Sequence, residues 1–203
     1  PENGRLLLSP ATTERRIAVG WCEEAGPALD GVIAKRLDLP YRAGARDGMV
    51  KVKRLRTADC VVGGFRYGAG STLAASLLLG LYDDAGLLHH VGYTSGIRAA
   101  EKPELTKRLE ALVEEPGFTG RAPGGLSRWA TERSGEWRPL RPELVVEVRY
   151  DHVTGGRFRH GTTLLRWRPD KAPTQCRMEQ IAPTQPSHDS PLATAAALVS
   201  SSG

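Results

Sequence analysis

The sequence predicts an α+β protein in which a small mixed unit is followed by a larger, mostly antiparallel β unit. Two alternating stretches of apolar and polar residues predict strands, MVKVK at 49–53 and ELVVEVRYDHVT at 143–154. A third stretch, KPELTKRLEALVEE at 102–115, places apolar residues at helical spacing and predicts one helix between them. A chain of 203 residues has room for one or two such domains.

The first unit, residues 1–56, is expected to be a small α/β piece. Its predicted elements are a strand at 5–10, a helix at 11–25 capped by Thr12 or Thr13, a strand at 29–38 entered through an Asp30-Gly31 turn, and a strand at 49–53. Alternation places Lys51 and Lys53 on one face of the last strand and Val50 and Val52 on the other. Because valines favour burial, we expect an inner strand whose polar face borders a cleft.

The second unit, residues 57–182, is predicted to be a five-stranded barrel with one helix. Its predicted elements are a strand at 58–68 with a bulge at Gly63-Gly64, a hairpin at 73–96 turning at 84–86, a helix at 102–115, and strands at 143–154 and 157–169. The order of three strands, helix and two strands is that of an OB-fold, a barrel that binds oligonucleotides. Residues 117–142 are expected to be a long loop, and 183–203 a mobile, Pro- and Ser-rich tail.

The charge of the chain is modest overall and concentrated near the junction of the two units. The net charge is +5. Residues 35–56 carry eight basic side chains against Asp38 and Asp47: Lys35, Arg36, Arg42, Arg46, Lys51, Lys53, Arg54 and Arg56. Such clustering is typical of proteins that bind nucleotide phosphates or nucleic acid, and a solvated charged face is the alternative.

Several classes of protein and site are disfavoured by composition. No apolar run is long enough to span a membrane, and no signal peptide is visible. Three scattered cysteines favour a reducing cytoplasm over a disulfide framework or a zinc site. The five histidines lack metal-ligand spacing, and structural or solvent roles are expected for them.

Three short segments carry the motifs that point to a family: LDGVIAKR at 29–36, MVKVKR at 49–54 and RWRPDK at 166–171. Together they resemble the fourth, fifth and sixth motifs of ATP-dependent DNA ligases, above all the short bacterial type. That family shares its chemistry with RNA ligases and capping enzymes. The resemblance covers nearly the whole chain apart from the tail. It implies that 1–56 is the last part of an adenylation (nucleotidyltransferase) domain and that 57–182 is an OB-fold domain.

The resemblance also implies roles for particular residues. Lys51 and Lys53 would contact the phosphate of the adenylate, and Arg46 would reach the nucleotide. Asp30 stands where the family usually has Glu, and it would hold a magnesium or manganese ion. Arg168, Asp170 and Lys171 would orient the pyrophosphate leaving group during self-adenylation.

The implied substrates are ATP and nicked duplex DNA, handled by a monomeric, cytoplasmic enzyme of DNA repair, recombination or replication. The family's nucleophilic lysine lies in a KxDG motif, and no KxDG occurs here. We therefore expect the chain to be the C-terminal portion of a ligase, inactive alone. A stand-alone nucleic-acid-binding OB module and an RNA ligase or capping-type enzyme are the alternatives.

Overall fold

The computed structural model describes residues 9–24, 31–45, 47–53, 55–124 and 136–182. Contacts divide it into two compact units, one confined to residues before Leu55 and the other spanning Leu55–Ala182. Residues 5–8 of the predicted strand, Asp30 of the predicted turn and the tail at 183–203 fall outside the described residues, and Ser9 and Pro10 form no strand.

The first unit contains one helix and one two-stranded sheet. Helix α1 spans Arg15–Glu24, and the Thr12 hydroxyl accepts a hydrogen bond from the Glu14 N–H just before it, at 3.1 Å. Strands β1 (Gly31–Lys35) and β2 (Met49–Lys53) pair antiparallel. All three elements lie within the predicted ranges.

Gly31 sets the register of this hairpin. It lies opposite Lys53, and its φ of +146° is one that residues with side chains rarely adopt. A Cβ at this position would lie 1.9 Å from the Val52 carbonyl oxygen. Only glycine therefore lets the two strands approach in this register.

The second unit is built on a six-stranded antiparallel sheet, in which five strands follow the order β10-β7-β3-β4-β5 and a short sixth strand pairs with β3. These five strands are β3 (Arg56–Tyr67), β4 (Ala74–Tyr82), β5 (Leu88–Thr94), β7 (Val145–Tyr150) and β10 (Thr163–Trp167). The two ends of the order meet in a parallel bridge between Thr94 and Thr162, whose backbone N–H donates to the Tyr93 carbonyl at 3.0 Å. Helix α2 (Lys102–Glu110) lies in the chain between β5 and β7. The five main strands, their order and the position of α2 between β5 and β7 confirm the predicted OB-like barrel.

The Gly63-Gly64 interruption of β3 is a bulge, as predicted. The pairing of β3 with β4 shifts register between Val62 and Gly64. A Cβ at Gly63 would lie 2.6 Å from the Phe118 ring, and one at Gly64 would lie 2.5 Å from Trp137. The absence of side chains here lets two aromatic rings pack directly on the strand.

The stretch 117–142 is more ordered than the predicted loop, in the part that the structure describes. Phe118 and Leu140 are buried in the core, and β6 (Arg138–Pro139) pairs with β3. Residues 125–135 lie outside the description. Residues 117–124 form neither a helix nor a strand, as predicted for a loop, whereas the prediction is wrong for 138–139, which form β6.

Two other predicted boundaries differ from the structure. Helix α2 ends at Glu110, because the Arg141 N–H donates to the Leu112 carbonyl and the Glu114 N–H to the Pro139 carbonyl. The predicted strand at 157–169 is two strands, since β9 (Arg157–Phe158) forms a small hairpin with β8 (Val153–Thr154) before β10 begins. Within the described ranges, neither helix has the length and apolarity needed to cross a membrane.

Candidate functional site

The β1–β2 hairpin gathers three lysines on one face. Lys51 lies opposite Ile33, Lys53 opposite Gly31, and Lys35 opposite Met49. Because directly paired residues of antiparallel strands share a face, Lys35, Lys51 and Lys53 point to the same side of the sheet. All three are exposed. Lys35 thus joins the pair that the sequence predicted.

The opposite face of the hairpin carries Val50 and Val52, which are 60% and 47% exposed. In the described sheet, β2 pairs with β1 alone. The prediction of an inner strand with buried valines is therefore wrong for this structure. Alternation fixed which side chains share a face, but it carries no information about what covers that face.

The two acidic residues that the sequence analysis noted within 35–56, Asp38 and Asp47, are each paired with an arginine. Arg36 donates from Nε to the Asp38 carboxylate at 3.0 Å, and Arg42 bonds Asp47. The Arg36 hydrogen bond holds the pKa of Asp38 below its ordinary value. These arginines are thus locally neutralised. Asp30 and Arg46, predicted to bind metal and nucleotide, lie outside the described residues.

The residues of the RPDK segment come together around a carboxylate that the sequence analysis missed. Arg168 Nη1 donates to Asp59 Oδ1 at 2.9 Å, and Lys171 Nζ donates to Asp59 Oδ2 at 2.6 Å. The other edge of the guanidinium donates to Asp170, from Nε at 3.0 Å and from Nη2 at 2.8 Å. Asp59, Arg168 and Lys171 have side chains only 13%, 19% and 22% exposed, whereas Asp170 is 64% exposed.

Hydrogen bonding within this cluster stabilises its charged forms. The Arg168 guanidinium lowers the pKa of Asp170 to about 2, and Asp170 in turn raises the pKa of Arg168. The segment is also fixed through its backbone, because the Arg168 N–H donates to the Val145 carbonyl at 2.8 Å. The cluster therefore holds an arginine and a lysine side chain in a fixed arrangement.

Histidines 89 and 90 have structural partners. The Arg121 backbone N–H donates to His89 Nδ1 at 3.0 Å, so Nε2 carries the proton and donates to Asp83 at 2.8 Å. His90 is 4% exposed, packs edge-on against Phe118 and accepts a hydrogen bond at Nδ1 from Arg157. Burial, followed by the charges of Arg157 and Arg66, lowers the pKa of His90 to about 3. The His89–Arg121 contact holds the loop that contains Arg121 on the barrel, and the His90–Arg157 contact holds the β8–β9 hairpin there.

The described tryptophans of the barrel serve packing and a cation–π contact. Trp137 packs at 5.5 Å from Phe118, and Arg108 lies 5.3 Å above the Trp167 ring. Trp129 lies outside the described residues.

Comparison with known proteins adds independent information. Residues 70–171, about half of the chain, match the family described as the ATP dependent DNA ligase C terminal region. The chain is 44% identical over 200 residues to DNA ligase C2 of Mycolicibacterium smegmatis, covering 90% of this chain and 55% of that protein. It is 42% identical over 190 residues to DNA ligase C of Mycobacterium tuberculosis, covering 87% and 53% of the two proteins.

A solved structure shares the fold. The ligase domain of M. tuberculosis LigD is 33% identical, with a TM-score of 0.52, over 71% of this chain and 46% of that one. The chain thus spans about half the length of the curated relatives that it matches.

Proposed function

Because the chain belongs to the ATP-dependent DNA ligase family, we propose that it forms the C-terminal part of an enzyme that seals nicks in duplex DNA. The enzyme would work through a lysyl-adenylate and a DNA-adenylate. The observation that carries this proposal is the common face of Lys51 and Lys53, in a chain whose barrel matches the ligase family. The relatives' greater length leaves room for the nucleophilic lysine outside this chain.

Lys51 and Lys53 would contact the phosphates of the adenylate. Alternate residues of a strand stand about 7 Å apart, so two ammonium groups on one face reach different oxygens of one phosphate chain. Fixed positive charge near a phosphoryl group stabilises the negative charge that is redistributed when a bond to phosphorus breaks. Lys35 shares this face and extends the same field.

Asp30 and Arg46 would complete the nucleotide site. A carboxylate beside the lysine face is suited to a magnesium or manganese ion, since hard cations prefer oxygen ligands. Such an ion, when bound, would neutralise phosphate charge. Arg46 would add a hydrogen-bonding cation from the loop that precedes β2.

Arg168 and Lys171 would act on the pyrophosphate that leaves when the enzyme adenylates itself. Although Arg168 bonds both Asp59 and Asp170, its Nη1 and Nη2 atoms each carry a second N–H. Lys171 likewise has two protons beyond the one that it donates to Asp59. These donors would be offered to the phosphate oxygens of the nucleotide. In the later steps, the barrel would bind duplex DNA mainly through the phosphate backbone.

Nick sealing by the full-length ligase that carries this chain tests the proposal. Substituting Lys53→Ala should reduce sealing by at least about a hundredfold, because a preorganised charge at the reacting phosphate is lost. The matched control is Lys107→Ala, which removes an exposed lysine from α2 and should leave sealing within about twofold of wild type. Unchanged sealing by Lys53→Ala would show that Lys53 does not act on the adenylate phosphate.

A second function, nucleic-acid binding by the barrel alone, is favoured by where the core lies. Within the described chain, the buried hydrophobic residues fall between Ala58 and Ile181, inside the second unit. A salt titration of DNA binding by residues 1–203 separates the two functions. Salt-dependent binding that ATP leaves unchanged supports the module, whereas ATP-dependent protection of residues 30–53 from hydrogen exchange supports the enzyme. Binding without salt dependence would count against both.

A further inference from the structure

We propose that Asp59 is a positioning residue for self-adenylation, which holds Arg168 and Lys171 as a preformed cationic pair. This inference rests on the proposed function. It assigns a role to a carboxylate of β3 that lies more than 100 residues before the segment it organises.

The geometry points to Asp59 because one carboxylate divides its two oxygens between two cations. Oδ1 accepts from Arg168 at 2.9 Å and Oδ2 accepts from Lys171 at 2.6 Å. A lysine side chain otherwise samples many rotamers, and its entropy must be lost before the ammonium group can bind at a defined place. The contact with Asp59 orders Lys171 before any ligand arrives.

Asp59 is itself fixed at both backbone atoms. Its N–H donates to Gln180 Oε1 at 3.0 Å, and its carbonyl accepts from Gln180 Nε2 at 3.1 Å. Its position in β3 is set by pairing with Glu147 of β7. A strand of the barrel therefore supports the carboxylate, which is the arrangement that keeps a site rigid.

The cluster around Asp59 contains equal numbers of positively and negatively charged side chains. Arg168 and Lys171 carry two positive charges, and Asp59 and Asp170 carry two negative ones. Each cation is mostly buried and bonded to a carboxylate, so the pair is held in place in the absence of nucleotide. During self-adenylation, the lysine nitrogen bonds to the α-phosphorus and releases its proton to solvent, while the bond between that phosphorus and the bridging oxygen breaks. Pyrophosphate leaves with the electron pair, and preformed donors stabilise that charge without reorganisation.

The test separates the first step from the last in the full-length ligase. One assay measures the rate at which the enzyme becomes labelled from ATP carrying a labelled α-phosphate. The other measures sealing of a nick that is already adenylated, which bypasses pyrophosphate release. Asp59→Asn keeps the size of the side chain, so the expected result is about ten- to hundredfold slower labelling, with sealing of the adenylated nick changed less than about threefold.

The matched control is Asp83→Asn, which removes another partly buried carboxylate of the barrel, one that bonds His89 and not the RPDK segment. It should change neither rate by more than about twofold. Lys171→Met should show the same selective loss as Asp59→Asn, and the double variant should be no slower than the slower single variant, because the two side chains act as one unit.

Equal slowing of both steps by Asp59→Asn would overturn the proposal, since it would show a merely structural role. Unchanged or faster labelling would also overturn it, because Asp59 would then be irrelevant or would restrain the cations. These outcomes differ from failure of the proposed function, in which the wild-type enzyme itself acquires no label from ATP.

Discussion

Mild acid should destabilise the barrel through His90. The ring is buried, and its environment lowers its pKa to about 3, chiefly by burial and then through the charges of Arg157 and Arg66. In the unfolded chain the same ring titrates near its ordinary value of 6.5. Below that pH the unfolded state gains a proton that the folded state refuses, so stability falls as pH falls through 6.5 towards 3.

The magnitude follows from the distance between the working pH and the unfolded pKa. Each pH unit in this window costs about 1.4 kcal/mol, so lowering the pH to about 5 removes roughly 2 kcal/mol. Asp38, Asp83 and Asp170 have lowered pKa values and stabilise the fold above the unfolded value of 3.8. Their contribution is lost only below that value, so at about pH 5 the loss belongs to His90.

The assay compares urea unfolding of residues 1–203 near pH 7.5 and near pH 5, followed by tryptophan fluorescence. His90→Gln can still accept the Arg157 hydrogen bond but cannot titrate, so it should lose less than about 0.5 kcal/mol on acidification. The control, Leu165→Ala, changes an exposed side chain that does not titrate and should keep the wild-type loss of about 2 kcal/mol. If acidification lowered the free energy of unfolding equally in the wild type and in His90→Gln, His90 would not be the cause of the acid sensitivity.

Two further substitutions test the packing that positions the proposed site. Gly31→Ala places a Cβ 1.9 Å from the Val52 carbonyl oxygen, so hydrogen exchange of the β2 amides should accelerate at least about tenfold. The control, Gly48→Ala, adds a Cβ that meets nothing closer than 4.0 Å and should leave this exchange rate unchanged. An unaltered exchange rate in Gly31→Ala would contradict the pairing register of β1 and β2. Phe118→Ala removes a ring that is 4% exposed and should cost about 3–5 kcal/mol in urea unfolding, against less than about 1 kcal/mol for Leu165→Ala, which removes a side chain that is 44% exposed. Similar costs for these two variants would show that Phe118 is not part of the core.

The strands were predictable wherever local pattern alone decides them. The alternation of β2 and β7, the bulge at Gly63 and the turn of the β4–β5 hairpin all follow from residues a few positions apart. The end of α2 was not predictable, because Leu112 and Glu114 bond a segment nearly thirty residues later. Helical spacing continues past Glu110, but those distant backbone partners end the helix.

The candidate site shows the same limit. The common face of Lys51 and Lys53 followed from the period of a strand, whereas the inclusion of Lys35 required the register of β1 against β2. Asp59 was missed because its partners lie 109 and 112 residues away. The available signal was a carboxylate beside the apolar run CVV in a predicted strand, since a charged side chain rarely sits in a barrel strand without a partner.

We propose that the full-length enzyme that contains this chain transfers adenylate from ATP to DNA. The most direct measurement incubates the full-length ligase with ATP labelled at the α-phosphate and then adds nicked duplex DNA. Label should bind covalently to the protein, pass to the DNA, and be released as AMP when the nick closes. Sealing without protein-bound label, or protein-bound label that never reaches DNA, would contradict it.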